Sequence, residues 1–184
     1  MASLAILRHA ETMLELSIPT RNWALSEAGM ASARAVAESG VFDNVSSIYS
    51  STECKAIETA RPIAERLNLD INTDSRLDEL NRGTGSTDSF TNYHSLVEQI
   101  LSFPPILVVG WEDPSLALKR FQSAIEDISK KESRRALVVS HGIVITLFFS
   151  HLLSIRASAF HRWFQLRFLD WGEISQGYVT KDIV

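Results

Sequence analysis

Short apolar runs alternate with stretches of helical periodicity along most of the chain. Residues 3–7, 45–50 and 136–140 are apolar runs of strand length, and residues 69–71 form a shorter one. This alternation is typical of an α/β domain in which helices connect the strands of a mainly parallel sheet. No repeat or low-complexity linker divides the pattern, so we predict one domain over residues 1–184.

The helical segments are marked by their ends as well as by their spacing. Ser26 is a candidate N-cap for a first helix that stops near Gly40. Residues 55–67 place small and aliphatic side chains on one face at helical spacing. Asp113 and Pro114 supply a cap and a first-turn proline for a further helix with an apolar stripe.

One apolar segment has the length of a membrane span. Residues 136–155 contain no Asp, Glu, Lys or Arg, and about 20 apolar residues suffice to cross a bilayer. The segment also holds Ser140, His141 and Gly142, and its second part, residues 143–153, has helical spacing. We therefore predict a buried strand followed by a buried helix, and no association with a membrane.

Two further segments are interpreted from composition. Residues 81–95 are polar and rich in Gly, Ser and Thr, which predicts a loop, and loops on a rigid scaffold often carry function. Beyond Phe164 the pattern predicts a terminal hairpin that turns near Gly172.

Composition narrows the classes of function. Of 184 residues, 45% are hydrophobic and 22% are charged, and 18 Lys and Arg against 22 Asp and Glu give a net charge of −4. A general nucleic-acid binder would show a basic excess, so we expect no nucleic-acid partner. The single cysteine, Cys54, excludes an internal disulfide and a four-thiolate zinc site. Arg8 interrupts the N-terminal apolar run too early for a signal peptide, and we expect a cytoplasmic protein.

Chemically active side chains follow three of the predicted strands. Arg8 and His9 follow the first strand, Lys55 lies just beyond the second, and His141 and Gly142 follow residues 136–140. The carboxyl ends of parallel strands meet at one edge of an open sheet, where ligands bind. Each side chain alone is also consistent with a surface charge or a hydrogen-bonded histidine. Their joint position predicts an anion-binding crevice.

Four motifs in order resemble those of the histidine phosphatase superfamily, phosphoglycerate mutase-like branch. Residues 7–12 resemble its Arg-His-Gly signature, and residues 49–60 resemble its second motif. Residues 77–83 resemble the segment that carries the catalytic acid, and residues 138–142 resemble the second-histidine motif. The resemblance implies a three-layer α/β sandwich in which helices flank a mostly parallel central sheet.

The resemblance also implies a mechanism and its residues. His9 would attack the phosphorus atom of a small phosphorylated metabolite and form a phosphohistidine that water hydrolyses. Glu79 would protonate the leaving group and then deprotonate that water, while His141 would donate to the phosphoryl oxygens. No metal or other cofactor is implied. The phosphate-binding residues would be Arg8, Lys55, Thr12 and Gly142.

Two departures from the family pattern leave other functions open. Lys55 occupies the place of a second phosphate-binding arginine and lacks the bidentate fork, unless Arg61 or Arg82 reaches into the pocket instead. Ala10 replaces the usual glycine after the nucleophile. A non-catalytic phosphate-binding protein is therefore the alternative from another class.

Two catalytic alternatives also remain. A phosphoglycerate mutase is one, although mutases of the family carry longer chains, so we expect net hydrolysis. A metal centre of His9, His141 and Glu79 is the other, and the neighbouring cations make it the least favoured. Some residues are expected to shape substrate choice unless they pack in the core. They are Phe90, Asn92, Tyr93, His94 and residues 111–113.

Overall fold

The central feature of the molecule is a six-stranded sheet with helices on both faces. The computed structural model describes residues 3–15, 17–83 and 90–184. The strands are β1 (Ser3–Arg8), β2 (Ser47–Ser50), β3 (Ile71–Thr73), β4 (Ala136–Ser140), β5 (Trp171–Ser175) and β6 (Tyr178–Lys181).

The strand order places the two most buried strands at the centre of the sheet. The order is β3-β2-β4-β1-β5-β6. β3, β2, β4 and β1 run parallel, whereas β5 pairs antiparallel with β1, and β6 pairs antiparallel with β5. The predicted, mostly parallel α/β sheet is confirmed, and the carboxyl ends of β1, β2 and β4 lie side by side.

Two of the helices in the described part of the chain begin at the predicted capping residues. They are α1 (Glu27–Glu38), α2 (Cys54–Leu67), α3 (Phe90–Leu101), α4 (Pro114–Lys131), α5 (Gly142–Leu152) and α6 (Ala159–Gln165). The Ser26 hydroxyl accepts a hydrogen bond from the Gly29 amide at 2.9 Å, and the Asp113 carboxylate accepts one from Ser115 at 2.7 Å. Both predicted N-caps are therefore confirmed.

Two apolar layers hold the helices against the sheet. One lies between the sheet and α1 with α2, and it includes Ala5, Leu7, Ile63, Leu137 and Val139. The other lies between the opposite face and α3 to α6, and it includes Leu4, Ile6, Phe121, Val138 and Phe149. Alternate residues of β1 and β4 thus face opposite layers, which explains why these strands are apolar throughout.

The apolar segment after residue 135 forms β4 and α5, as predicted. Nine residues of α5 are buried, because the helix packs between the sheet, α4 and α6. Among the described residues, no helix is both long enough and apolar enough to cross a membrane.

Two sequence interpretations need correction. Residues 81–95 are not a loop throughout, because α3 begins at Phe90; its apolar side chains, such as Val97 and Ile100, lie later in the helix. Residues 84–89 lie outside the described residues. Helix α6 was not predicted, because it spans only seven residues and buries only Ala159 and Trp163.

The terminal hairpin is present, but its turn lies elsewhere. Gln176 and Gly177 have φ values of 55° and 81°, the positive values that a tight hairpin turn requires. Gly172 instead lies within β5, where an added Cβ would stand 2.6 Å from the Phe149 ring. That glycine permits close packing and does not form the turn.

Candidate active site

The carboxyl ends of the central strands bring two histidines together. His9 follows β1 and His141 follows β4, and β1 and β4 are neighbours in parallel register. The two imidazole ring centroids are 5.2 Å apart, and both side chains are buried. Two residues that are distant in sequence thus share one crevice at the edge where ligands bind in α/β sheets.

The His9 ring is held in one tautomer. Its Nδ1 atom lies 2.7 Å from the Ala10 carbonyl oxygen, which can only accept, so Nδ1 carries the proton. The Ala10 amide in turn donates to the Thr59 hydroxyl at 2.9 Å, which fixes this backbone. Burial, followed by the electrostatic interaction with the His141 ring and with the charges of Arg8 and Lys55, lowers the pKa of His9 well below 6.5. The Nε2 atom therefore keeps a free lone pair near neutral pH.

Arg8 places its guanidinium beside this ring. Nη1 donates to the Leu166 carbonyl, and the guanidinium lies over the Phe168 ring at 4.5 Å from the centroid. Within the part of the chain that the structure describes, Nε is buried without a hydrogen-bond partner. An added Cβ on Gly142 would stand 3.4 Å from both Nε and Cζ, so the glycine leaves room beside the guanidinium. An anionic or polar ligand, or a water molecule, can satisfy a buried donor of this kind.

The His141 ring contributes a further buried nitrogen atom to the site. Its Nε2 lies 2.6 Å from the Ser51 hydroxyl, which already accepts a bond from the Glu53 amide at 3.2 Å. Burial lowers the pKa of His141 well below 6.5, so the ring is neutral. When the Ser51 hydroxyl donates to Nε2, the proton resides on Nδ1, which is buried and has no hydrogen-bond partner in residues 3–15, 17–83 or 90–184. His141 Nδ1 can then donate to an oxygen of a ligand.

Glu79 is held at the N-terminus of α5. Its Oε2 accepts from the Ile143 amide at 3.0 Å, and its Oε1 accepts from the amides of Val144 at 3.1 Å and Leu80 at 2.9 Å. The amide of Gly142 is not among those that Glu79 binds. The carboxylate thus lies at the first turn of α5, on the amides that follow His141 and Gly142 in sequence, where the helix dipole favours negative charge.

The backbone that carries Glu79 is braced by Arg120. This arginine donates to the carbonyls of Arg76, Asp78 and Glu79 at 2.8, 2.7 and 2.9 Å. It also forms an ion pair with Glu112, whose carboxylate accepts the amide of Asn81 at 2.9 Å. The loop around Glu79 is therefore fixed from the side of α4.

Lys55 is buried but already has partners. Its ammonium forms an ion pair with Glu53 and donates to the Thr20 carbonyl at 2.8 Å. The other oxygen of Glu53 accepts the Glu79 amide at 2.9 Å and lies 3.9 Å from His141 Nε2. The structure thus brings Lys55 to the predicted crevice, but with a resident carboxylate beside it.

Three of the residues considered from sequence remain to be placed: Arg82, Arg61 and Thr12. Arg82 donates to the Thr20 hydroxyl at 2.9 Å and lies over the Tyr93 ring at 5.1 Å from the centroid, so it borders the crevice. Arg61 is exposed and lines a surface depression near the C-terminus of α2, so it does not border the crevice. Thr12 is half-buried and forms an isolated backbone bridge with Leu25.

Two of the aromatic side chains expected near the substrate pack against the core, and a different aromatic side chain lies beside His9. Tyr93 and Trp111 pack against the larger apolar layer, whereas Phe168, in the loop before β5, was not predicted at all. The Phe168 ring is 42% exposed and lies 5.7 Å from the His9 ring centroid. Its position after a short unpredicted helix gave no sequence pattern to find it.

Ser51 and Glu53 were also not assigned to the site from sequence. Ser51 lies in the second family motif, residues 49–60, but only the fold shows that its hydroxyl contacts His141. Glu53 is the residue before α2 and has the sequence pattern of a helix-start acid, yet it caps no amide of that helix. The one available indication was the lysine two residues later, whose buried charge requires a partner.

Within the described residues, no three His, Cys, Asp or Glu side chains are grouped so that they could hold a metal ion. The alternative of a metal centre from His9, His141 and Glu79 therefore has no structural support.

Residues 4–175 match the family model of the histidine phosphatase superfamily, branch 1. The chain therefore belongs to this superfamily of enzymes, and the resemblance inferred from its motifs is confirmed. A curated relative, the probable phosphoglycerate mutase GpmB of Enterobacter sp. (strain 638), is 30% identical over 174 residues, which cover 88% of this chain and 80% of that protein.

Solved structures agree on the fold. YhfR of Bacillus stearothermophilus superposes with a TM-score of 0.81 at 18% identity, covering 98% of this chain and 95% of that chain. Phosphoserine phosphatase of Entamoeba histolytica, solved in complex with 3-phosphoglyceric acid, gives 0.77 at 24% identity with the same coverage of both chains, 98% and 95%. The predicted phosphoglycerate mutase-like fold is thereby confirmed.

Proposed function

We propose that the protein hydrolyses a small phosphomonoester through a covalent phosphohistidine on His9. The observation that carries this proposal is the set of free atoms around the nucleophile. His9 Nε2 has a free lone pair, and Arg8 Nε and His141 Nδ1 are buried beside it with no partner among the described residues. A phosphoryl group would satisfy both donors while it presents its phosphorus atom to Nε2.

The first chemical step transfers the phosphoryl group to the protein. The Nε2 lone pair attacks phosphorus, the bond to the ester oxygen breaks, and the leaving alkoxide takes a proton. Arg8, His141 Nδ1 and the Gly142 amide stabilise the charge on the phosphoryl oxygens. As His9 Nε2 bonds to phosphorus, the ring becomes positive, and its proton stays on Nδ1, hydrogen-bonded to the Ala10 carbonyl oxygen.

Glu79 is the proposed source of that proton. Its Oε2 accepts one amide bond from the described residues, and a second lone pair can hold a proton. In the second step, water attacks the phosphohistidine, Glu79 takes the proton of that water, and the products are inorganic phosphate and free His9. The same carboxyl acts as acid and then as base.

The border of the crevice favours an acidic leaving group. Across residues 3–15, 17–83 and 90–184, no carboxylate forms an ion pair with Arg82. Its guanidinium is fixed over Tyr93 and can bind a carboxylate of the substrate. A phosphorylated hydroxy acid fits this arrangement, and the Entamoeba histolytica enzyme was solved with such an acid. Phe168 would cover the opposite side of the leaving group.

Phosphate release from a panel of phosphomonoesters tests the proposal. We expect turnover of p-nitrophenyl phosphate and faster turnover of phosphoserine and phosphoglycerates than of neutral sugar phosphates. His9→Ala should lower kcat by more than about 10³-fold and abolish an acid-labile phosphoenzyme. Phosphate binding without any release would instead identify a non-catalytic phosphate-binding protein.

The mutase alternative is tested in the same samples. The name of the Enterobacter relative favours it, so 3-phosphoglycerate is supplied with and without 2,3-bisphosphoglycerate. Formation of 2-phosphoglycerate faster than inorganic phosphate would establish phosphoryl transfer and contradict net hydrolysis. Activity that survives EDTA would be consistent with chemistry carried by the side chains alone.

A further inference from the structure

Glu53 is a buried carboxylate at the centre of the site, although no family motif assigns it a role. One oxygen forms the ion pair with Lys55. The other accepts the Glu79 amide at 2.9 Å and lies 3.9 Å from His141 Nε2. The backbone amide of Glu53 donates to Ser51, which holds His141. Glu53 therefore contacts Lys55 and the backbone of Glu79 directly, and it reaches His141 through Ser51.

Lys55 stands close to the reacting centre. Its positive charge lowers the pKa values of both His9 and His141. An ammonium has three N–H donors, and two of them are used by Glu53 and the Thr20 carbonyl. Lys55 can therefore bind a phosphoryl oxygen strongly only by sharing its charge with Glu53 or by giving up that contact.

The same geometry opposes phosphate binding electrostatically. A phosphoryl group bound at His141 Nδ1 lies across the imidazole ring from the Glu53 carboxylate, which stands 3.9 Å from Nε2 of the same ring. Two anions in a buried crevice repel each other strongly, since the effective dielectric there is far below that of water. Glu53 thus both occupies the lysine and repels the anion that would use it.

We propose that Glu53 competes with the phosphoryl group for the Lys55 ammonium and thereby keeps the affinity for the product, inorganic phosphate, low. Glu53 acts through Lys55 and is a positioning residue. This inference rests on the proposed function only for the location of the phosphoryl group. It also explains why lysine occupies the place of an arginine: a guanidinium would engage the buried carboxylate through two parallel bonds and would be harder to release.

Titration calorimetry with inorganic phosphate tests the competition. Glu53→Gln keeps an oxygen for the Glu79 amide but removes the charge, so we expect phosphate to bind about tenfold more tightly than to the wild type. Lys55→Met leaves the carboxylate without its cation and should weaken phosphate binding severely. The double variant E53Q/K55M should recover much of that loss. Glu65→Gln, the same change at an exposed position of α2, should have no effect.

A structural role alone would give a different pattern, because loss of packing weakens binding in every variant. Unchanged or weaker phosphate binding by Glu53→Gln overturns the proposal. If Glu53→Gln does not fold by circular dichroism, the comparison of K55M with E53Q/K55M decides, and a double variant that binds no better than K55M overturns it. Absence of wild-type turnover would refute the phosphatase proposal, while the phosphate titrations would still decide the role of Glu53.

Discussion

Ser51→Ala tests whether one hydroxyl sets the protonation of the His141 ring. The Ser51 side chain is fully buried, and its hydroxyl lies 2.6 Å from His141 Nε2 and 3.2 Å from the Glu53 amide. The alanine removes both contacts. Nε2 then faces the Glu53 carboxylate at 3.9 Å, and this negative charge favours the tautomer with the proton on Nε2.

The magnitude follows from what the new tautomer loses. With the proton on Nε2, the Nδ1 atom presents a lone pair, not a donor, to the phosphoryl oxygen. Loss of one donor to transition-state charge costs about 10²–10³ in kcat, and we expect a decrease of about 10². The Glu53 amide also loses its partner, which costs about 1–3 kcal/mol of unfolding free energy because a buried donor is left unpaired.

Steady-state kinetics and urea denaturation separate these two effects. Ser140→Ala is the matched control, because its hydroxyl is equally buried and donates to the Leu77 carbonyl at 2.7 Å without touching the ring. We expect the control to lose similar stability but to keep kcat within about threefold. A Ser51→Ala variant with the kcat of the control would refute the assignment of the His141 tautomer.

Two further predictions concern the glycine beside Arg8 and the buried histidines. Gly142→Ala places a Cβ 3.4 Å from the Arg8 guanidinium and 3.3 Å from Trp163 Nε1; kcat/KM should fall by about tenfold while the melting temperature stays nearly constant, and unchanged kinetics would contradict the close approach. The pKa values of His9 and His141 lie well below 6.5 in the folded protein, so the unfolded chain binds more protons once the pH falls below about 6.5. The free energy of unfolding should therefore decrease from about pH 7 toward 5, by at most ~1.4 kcal/mol per pH unit for each histidine. Urea denaturation across this range should show a flatter slope for the H9N/H141N variant, and an equal slope would contradict the prediction.

The fold was largely predictable from sequence where local patterns and tertiary packing agree. Residues 136–140 form β4 with the predicted bounds, and the caps at Ser26 and Asp113 start their helices. Helix α6 escaped prediction because its stability comes from the burial of Trp163 against other helices and not from a repeated local pattern. The predicted position of the hairpin turn was wrong because Gly172 was interpreted as a turn glycine, whereas it leaves room for the Phe149 ring.

The site was predictable only as far as strand ends determine it. Arg8, His9 and His141 could be brought together in advance, because parallel strands carry the residues after them to one edge. The partners of Lys55 could not, since the contact with Thr20 joins a segment 35 residues away and depends on the path of the loop after β1. Phe168 approaches His9 from a segment that follows no parallel strand, so strand-end reasoning has no means of including it.

The brace formed by Arg120 recognises main-chain carbonyls, which every amino acid possesses. Arg120 therefore holds the backbone beside Glu79 through groups that no substitution at positions 76 and 78 removes. The side chains at these positions add a second set of anchors, because Arg76 forms ion pairs with Asp74 and Asp127 and the Asp78 carboxylate accepts the Thr52 amide at 2.7 Å. The placement of this acid thus depends both on a main-chain brace from α4 and on the side chains that precede it.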